Sequence, residues 1–309
     1  MANWSFDDIP DQTGRTAIVT GANSGIGFET ARMLARKGAE VIIACRNPDK
    51  GTAALARIRE DAPGAKVSLA ALDLADLDSV TSFAEDFAAQ HDRLDLLIAN
   101  AGVMVPPSSR TKQGFELQIG TNHLGHFALT ARLLPLLERT AGARIVVVAS
   151  SAAHMGRIDF DDLSSERKRY RAWSAYSQSK LANLLFMLEL GRRLDAAGSQ
   201  VRVTGAHPGW TATELQRTAG MARWFNPLFA MKPSEGALPT LRAAVDPTAE
   251  QGGYYGPSGM FEMRGPPVAA RFPKLARDEA AAARLWSLSE SLTGVPFELQ
   301  RPGPARAAS

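Results

Sequence analysis

A tyrosine and a lysine four positions apart, Tyr176 and Lys180, form the most chemically suggestive pair in the chain. They open the segment "YSQSKLANLLFMLEL" (176–190), whose leucines recur at the spacing of one buried helical face. Residues four apart on a helix are neighbours, so the phenol and the ammonium are expected on one side. A phenol titrates at about pH 10, and a nearby ammonium stabilises the phenolate and lowers that pKa. The pair predicts a proton-transferring Tyr176 tuned by Lys180; the alternative is an exposed pair on a helix surface.

The elements that must position this pair alternate regularly along the chain. Apolar runs predict strands at 16–21, 40–45, 67–74, 94–102, 143–151 and 201–209, and helical patterns lie at 25–38, 76–91, 113–140 and 172–197. Strands that are apolar throughout predict a sheet covered on both faces, and the alternation with helices makes it parallel and doubly wound. We therefore predict a single-domain Rossmann-type α/β fold over residues 1–309, with a core at about 14–215 and an edge strand near 252–256.

A glycine turn connects the first predicted strand to the first predicted helix. In "TGANSGIG" (20–27) the glycines let the backbone approach a diphosphate, and the helix N-terminus offers free N–H groups and a partial positive charge. The expected cofactor contacts in this turn are Gly21, Asn23, Ser24, Gly25, Ile26 and Gly27. The segment predicts a dinucleotide site, and an ordinary tight turn is the alternative.

The end of the second predicted strand indicates which dinucleotide would bind. NAD enzymes place a carboxylate there for the ribose 2′-hydroxyl, whereas this chain has Arg46, with no carboxylate before Asp49. An arginine can hold a 2′-phosphate with paired hydrogen bonds. The sequence therefore favours NADP(H), with NAD(H) as the alternative cofactor and a solvated loop residue as the alternative role of Arg46.

Seven motifs, read in chain order, resemble the short-chain dehydrogenase/reductase family, and its classical branch in particular. They are "TGANSGIG" (20–27), "DL" (73–74), "NAG" (100–102), "TNHLGHF" (121–127), "VVASS" (147–151), "YSQSK" (176–180) and "HPGWTAT" (207–213). The segments "ACRN", "SSAAHMGRIDFDDL" and "LWSLSESLTG" resemble the retinol-dehydrogenase-like subgroup, and light-dependent protochlorophyllide reductases share much of this framework. The resemblance implies redox chemistry between a carbonyl and an alcohol, with a nicotinamide cofactor.

The resemblance also implies a role for each matching residue. The implied catalytic residues are Asn122, Ser151, Tyr176 and Lys180, with Asn122 holding a water that links Lys180 to solvent. The implied cofactor contacts beyond the glycine turn and Arg46 are Asp73, Leu74, Asn100, Ala101, Gly102, Tyr176, Lys180, Pro208, Gly209, Thr211 and Thr213. Ser151 would hydrogen-bond the substrate oxygen, and Gly209 and Thr213 would flank the nicotinamide carboxamide.

The spacing between serine and tyrosine departs from most classical members. Tyr176 follows Ser151 by 25 positions, and the extra segment "RIDFDDLSSERKRYRAW" (157–173) is strongly charged. We expect this segment to loop out over the site. Its register leaves Ser150 as the alternative to Ser151.

An apolar stretch after the last motif points to the substrate. Residues 211–232 are expected to form a lid, and large apolar side chains crowd "MARWFNPLFAM" (221–231). The interpretation is a hydrophobic carbonyl or alcohol substrate; burial against the core, burial in a subunit interface and contact with a membrane surface are the alternatives.

Composition excludes several classes of protein. The net charge is +3 from 35 basic and 32 acidic residues without a basic block, which gives nucleic-acid binding little support. A single cysteine, Cys45, excludes an internal disulfide framework, and no apolar run reaches the ~18 residues of a membrane span. The histidines lack metal-ligand spacing, so no metal is expected. We predict a cytoplasmic homodimer or homotetramer whose residues 300–309 are a disordered tail.

Two other functions fit the same residues. One is reduction of a carbon–carbon double bond, including the light-driven kind. The light-dependent protochlorophyllide reductases have an active-site cysteine, whereas the lone Cys45 of this chain is expected at the adenosine end, which argues against the photoenzyme. The other is a non-catalytic nucleotide sensor, a class that typically lacks the tyrosine or the lysine.

Overall fold

One mixed sheet with helices on both faces organises the chain. The computed structural model describes residues 3–211, 231–259 and 261–299. The strands are β1 (Thr16–Thr20), β2 (Glu40–Cys45), β3 (Val67–Ala71), β4 (Leu96–Ala99), β5 (Arg144–Val148), β6 (Arg202–Ala206), β7 (Tyr254–Gly259) and β8 (Arg264–Ala269). Their order in the sheet is β3-β2-β1-β4-β5-β6-β7-β8. The predicted Rossmann-type fold is confirmed.

Helices cover both faces of this sheet. They are α1 (Gly25–Arg36), α2 (Pro48–Asp61), α3 (Leu77–Gln90), α4 (Leu117–Ile119), α5 (Gly125–Arg139), α6 (Ala172–Ala196), α7 (Pro233–Gly236), α8 (Leu238–Val245) and α9 (Glu279–Thr293). The strands β1, β4 and β5 are buried at every position, because both their faces pack against helices. This burial explains why their sequences are apolar throughout rather than alternating.

The predicted helix over 113–140 is interrupted in the structure. A π-helical turn at Gly120–Leu124 separates α4 from α5. The turn contains Asn122, and such wider turns are frequent at functional sites. Helical periodicity in the sequence gives no sign of the interruption.

The edge of the sheet extends beyond the sequence prediction. β7, near the predicted edge strand, pairs in parallel with β6, and β8 pairs with β7 in antiparallel fashion. β8 has the sequence "RGPPVA", and its two prolines made it unrecognisable as a strand. Prolines are tolerated here because an edge strand needs fewer backbone donors.

The charged segment before α6 is held in place by polar side chains. The carboxylate of Asp162 accepts hydrogen bonds from the backbone of Glu166 and Lys168. Gln178 of α6 accepts from the backbone N–H of Asp159 and donates to the carbonyl of Leu163. The segment therefore lies against α6 as an ordered loop.

Part of the predicted lid and all of the predicted tail fall outside the described residues. These are residues 212–230, with Thr213 among them, and residues 300–309. Within the described ranges, no helix combines the length and apolar composition that crossing a membrane requires.

Candidate active site

A cleft forms between β1 and β4, where the order of the strands in the sheet reverses. β1 pairs with β2 on one side and β4 on the other, and open α/β sheets bind ligands at the carboxyl ends of strands around such a point. The strand order from β2 to β6 places the predicted functional segments side by side. In spatial order they are Arg46, 20–27, 100–102, 150–151 and 208–209.

Most of the predicted cofactor residues line this one cleft. They are Gly21, Asn23, Ser24, Gly25, Ile26, Gly27, Arg46, Asp73, Leu74, Asn100, Ala101, Gly102, Tyr176, Lys180 and Pro208. The lining also includes residues that the sequence did not predict as cofactor contacts: Ala44, Cys45, Leu72, Val103, Thr121, Val148 and Ala149. The cleft thus joins the dinucleotide motifs to the tyrosine–lysine pair.

The donors around the glycine turn suit a phosphorylated dinucleotide. Helix α1 begins after Ser24, whose side chain makes no capping hydrogen bond, so the first N–H groups of the helix stay available to an anion. The Thr121 hydroxyl is buried in the same cleft without a partner among the described residues, and Arg46 is exposed at its edge. Residues and charges here fit NADP(H).

Two glycines of the turn are required by close packing. A Cβ on Gly27 would lie 2.4 Å from the side-chain nitrogen of Asn100 and 2.6 Å from the carbonyl oxygen of Gly21. Gly21 has φ +68°, and a Cβ there would lie 2.9 Å from Cα of Ala101. Any side chain at these positions would push α1 and the 100–102 segment apart.

Tyr176 and Lys180 face the cleft from the first turns of α6. The Lys180 Nζ lies 5.9 Å from the centroid of the Tyr176 ring and donates to the carbonyl of Val148 at 3.2 Å. Burial lowers the pKa of Lys180 to about 8. Burial also raises the pKa of Tyr176, and the Ser150 side chain, which interacts with the phenol, opposes that rise. In the protein alone the tyrosine pKa is therefore raised rather than lowered as expected from the sequence, and burial is the main cause.

The two serines at the end of β5 have different surroundings. Ser150 is half-buried, and its hydroxyl accepts a hydrogen bond from the N–H of Ala152 at 3.2 Å. Ser151 starts a 3-10 turn, Ser151–Met155, and is exposed. The side chain in contact with Tyr176 is thus that of Ser150.

Asn122 is fully buried and binds the segment that follows β4, near Lys180. Its Oδ1 accepts from the N–H of Val103 at 2.8 Å, and its Nδ2 donates to the Val103 carbonyl at 3.0 Å and to Ser179 Oγ at 2.9 Å. A Cβ placed on Gly102 would touch both Asn122 Oδ1 and Lys180 Nζ, so these groups are neighbours. The side-chain amide of Asn122 is thus held by the protein itself, through Val103 and Ser179.

The Pro–Gly loop after β6 packs on the edge hairpin of the sheet. Gly209 has φ +64°, and a Cβ there would lie 2.5 Å from the carbonyl of Met263. Thr211 donates from its hydroxyl to the carbonyl of Pro208 at 2.8 Å. The hairpin formed by β7 and β8 therefore sets the position of this loop.

A buried glutamine that no sequence pattern indicated links three segments around the cleft. Gln118 accepts from the N–H of Val105 at 2.9 Å and donates to the Tyr170 hydroxyl and the Ala172 carbonyl, each at 2.9 Å. Val105 has φ +52°, a strained conformation for a β-branched residue. The glutamine thus ties the charged segment and the start of α6 to the wall of the cleft.

Trp173 is a second residue that the sequence analysis missed. It is 49% exposed, and its ring stands edge-on to that of Tyr176 with 6.2 Å between centroids. Its spacing of three from Tyr176 and seven from Lys180 puts it on the same helical stripe. That spacing was the available sequence signal.

The paired histidines of "HLGH" are buried, and three of their four ring nitrogens have hydrogen-bond partners, whereas His123 Nδ1 has none among the described residues. His123 Nε2 lies 2.8 Å from the hydroxyl of Ser289 in α9, and His126 contacts Thr20 and the Asn122 carbonyl. Among the described residues, no group of three or more His, Cys, Asp or Glu side chains is placed to hold a metal.

Comparison with known proteins places the chain in a family. The family model described as short chain dehydrogenase matches residues 15–223. The chain is 44% identical over 290 residues to retinol dehydrogenase 11 of Mus musculus, covering 92% of this chain and 88% of that protein. A crystal structure of an uncharacterized protein from Mycobacterium paratuberculosis matches with TM-score 0.81 and 44% identity, covering 96% of this chain and all of that one. A short chain dehydrogenase from Shigella flexneri, complexed with NADP, matches with TM-score 0.64 and 28% identity, covering 79% and 97%. The chain therefore belongs to the short-chain dehydrogenase/reductase family, in its retinol-dehydrogenase-like subgroup.

Proposed function

We propose that this oxidoreductase uses NADP(H) to interconvert a carbonyl and an alcohol on a hydrophobic small molecule, with Tyr176 as general acid and base. The observation that carries the proposal is the single cleft that joins Arg46 and the glycine turn to Tyr176 and Lys180. Similarity to retinol dehydrogenase 11 and to an NADP-bound relative supports both the chemistry and the cofactor.

Different residues of the chain would bind different parts of the cofactor. The N–H groups at the start of α1 would hold the diphosphate, Arg46 the 2′-phosphate, and Asp73 and Leu74 would flank the adenine. Lys180 would hold the nicotinamide ribose. When bound, the reduced nicotinamide supplies a hydride to the substrate carbon.

Tyr176 supplies the proton that the reduction needs. Its raised pKa keeps the phenol protonated at neutral pH, the state required to donate to a developing alkoxide. The Lys180 ammonium then stabilises the phenolate that remains. Ser151, exposed at the same strand end, would hydrogen-bond the substrate oxygen and stabilise its charge.

The apolar surface beside the phenol supports a hydrophobic substrate. Half of the Trp173 side chain is exposed next to Tyr176, and large exposed aromatic surface beside reacting groups is typical of ligand contact. A substrate whose carbonyl reaches the phenol could lay its apolar part on this ring.

The position of Cys45 argues against the light-driven reading. It is buried at the end of β2, two strands away from β4 and three from β5, on the Arg46 side of the cleft. Reduction of a carbonyl accounts for the site without it.

The proposal is tested by steady-state oxidation of NADPH and NADH against aldehydes and ketones of increasing chain length. We expect turnover with NADPH that rises with substrate length. Tyr176→Phe is the control, since it removes one hydroxyl, and should keep NADPH binding while turnover falls by about three orders of magnitude or more. Near-normal turnover in this variant would refute the assignment of Tyr176, and a preference for NADH would refute the role of Arg46.

A further inference from the structure

A chain of hydrogen bonds runs through the interior between the glycine turn and the catalytic asparagine. Thr20, the last residue of β1, accepts on its hydroxyl oxygen from the N–H groups of Asn100 and Ala101, each at 2.9 Å. The same oxygen lies 2.9 Å from His126 Nε2. The other ring nitrogen of His126, Nδ1, lies 3.0 Å from the carbonyl oxygen of Asn122.

The direction of every bond in this chain follows from its acceptors. The Asn122 carbonyl can only accept, so Nδ1 of His126 carries the proton. Burial, with help from the Lys180 charge, lowers the pKa of His126 to about 4, so the ring is neutral at pH 7 and Nε2 must accept. Thr20 has one hydroxyl proton and two acceptors within reach, the Ile98 carbonyl at 3.2 Å and His126 Nε2 at 2.9 Å. The shorter bond to Nε2 takes the proton, because the Thr20 oxygen already accepts from two backbone groups and cannot accept from the ring as well.

All three members are withdrawn from solvent. Thr20 and Asn122 are fully buried, and His126 is 3% exposed. An imidazole in an apolar interior is costly unless both nitrogens are satisfied. Here both are satisfied, and the partners belong to two segments that line or adjoin the cleft rather than to the distant core.

His123, three residues earlier, shows what a structural histidine in this helix looks like. It is equally buried, but its Nε2 bonds to Ser289 of α9, away from the strand ends. The two histidines therefore differ in what they bind: His123 binds α9, whereas His126 connects Thr20 with the Asn122 carbonyl beside the cleft.

We propose that Thr20 and His126 are positioning residues that lock the Asn100–Gly102 segment and the backbone carbonyl of Asn122 into one rigid arrangement. The 100–102 segment lines the cofactor cleft. The Asn122 carbonyl accepts from His126 with one lone pair, and its second lone pair would accept from the relay water implied next to Lys180. Neither Thr20 nor His126 touches a reacting atom; both act through the groups that they hold. This inference rests on the proposed function for its kinetic readout.

The test uses His126→Leu, with His123→Leu as the matched control. Both variants remove a buried neutral imidazole, but His126→Leu loses two hydrogen bonds and His123→Leu loses one, since His123 Nδ1 has no partner among the described residues. We therefore expect the unfolding midpoint to fall more in His126→Leu than in His123→Leu. Only His126→Leu should also lower kcat, by about tenfold or more, and raise the Kd for NADPH severalfold. Equal kcat in the two leucine variants would mean that His126 is merely structural, and the inference would fail.

Conservative variants distinguish the effect of the hydrogen bonds from the effect of side-chain packing. His126→Asn keeps an N–H donor close to the Nδ1 position and should recover most of the kcat lost in His126→Leu. Thr20→Ser keeps the hydroxyl and should behave like the wild type, whereas Thr20→Val should raise the Kd for NADPH. No recovery by His126→Asn would contradict the proposal, and these variants remain informative if His126→Leu does not fold.

A double-mutant cycle tests whether the two residues act as one unit. If they do, Thr20→Val combined with His126→Leu should raise the Kd for NADPH little more than the worse single variant, whereas independent effects would multiply. Binding is measured by fluorescence titration with NADPH and needs no substrate. Wild-type protein that turns over no carbonyl would therefore refute the proposed function, while the cycle would still decide on the hydrogen-bond chain.

Discussion

At the scale of single residues, Ser150 and Ser151 are adjacent in sequence but have different surroundings and different proposed roles. Ser150 interacts with the phenol of Tyr176 and opposes the rise of its pKa. Ser151 is exposed and free to meet a substrate oxygen. The sequence could predict that a serine acts here, but the choice depends on how the 3-10 turn after β5 is oriented.

Substitution of each serine should give a different kinetic signature. Ser151→Ala should lower kcat by about a hundredfold with little change in the shape of the pH–rate profile, since it removes a donor to the developing charge. Ser150→Ala should cause a smaller loss and move the tyrosine limb of the profile to higher pH. Profiles of both variants from pH 6 to about pH 11 would show this difference, since the Tyr176 pKa lies above its ordinary value of about 10. Identical shapes and equal losses would contradict this division of roles.

Trp173 should determine how strongly the enzyme prefers long substrates. Trp173→Ala removes the exposed ring beside Tyr176 and should lower kcat/KM for long apolar aldehydes by about tenfold, with little effect on short ones. Trp173→Phe keeps an aromatic surface and serves as the control. An equal loss for all chain lengths would instead indicate damage to Tyr176.

At the scale of elements, the sequence predicts those helices, strands and turns that depend on local residue patterns. The buried strands β1, β4 and β5 and the turn before α1 follow from apolar runs and glycines. The ends of the strands then bring most of the predicted cofactor residues together. The π-helical turn at Gly120–Leu124, the proline-containing β8 and the Thr20–His126 chain depend on contacts between distant parts of the chain. Periodicity and propensity carry no information about such contacts.

The packing of α1 against the neighbouring strand end can be tested at Gly27. Gly27→Ala would force its Cβ against Asn100 and Gly21, so we expect the Kd for NADPH to rise at least tenfold and stability to fall by about 1–3 kcal/mol. Gly191→Ala in α6 is the control, because its Cβ would find ordinary contacts at 3.5 Å. It should leave binding unchanged and raise stability by up to about 1 kcal/mol. Unchanged binding in Gly27→Ala would refute the close approach.

At the scale of the whole molecule, the buried Lys180 opposes folding. Its pKa is lowered from 10.5 to about 8, so the unfolded chain binds its proton more tightly and folding carries a cost at neutral pH. That cost is complete below about pH 8 and disappears as the pH rises toward 10.5. The proposed chemistry would require the lysine in the cleft despite this cost, a conflict between stability and activity that is common at functional sites.

Lys180→Met should therefore be inactive and more stable than the wild type. At pH 7 we expect a gain of about 1–2 kcal/mol, less than the ~3 kcal/mol implied by the shift, because methionine cannot donate to the Val148 carbonyl. The gain should shrink between pH 8 and 10. Denaturant unfolding at several pH values measures it, and a loss of stability at pH 7 would contradict the account.

Helix α9 and the segment that follows it cover α5 and α6. Trp286 and Phe297 pack against Phe127 and Phe186, with ring centroids 4.5 to 6.1 Å apart. The sequence showed this part only as a likeness to related proteins, because its partners lie more than 90 positions earlier in the chain. Assembly into a homodimer or homotetramer stays a prediction.

The central claim is that this chain transfers hydride between NADP(H) and a carbonyl, with Tyr176 supplying the proton. The most direct measurement is mass spectrometry of the product formed from NADPH deuterated on the transferred position and a long-chain unsaturated aldehyde. The account predicts an alcohol carrying one deuterium on the former carbonyl carbon, and no such product with Tyr176→Phe. Deuterium at a former double-bond carbon, or an alcohol without deuterium, would contradict it.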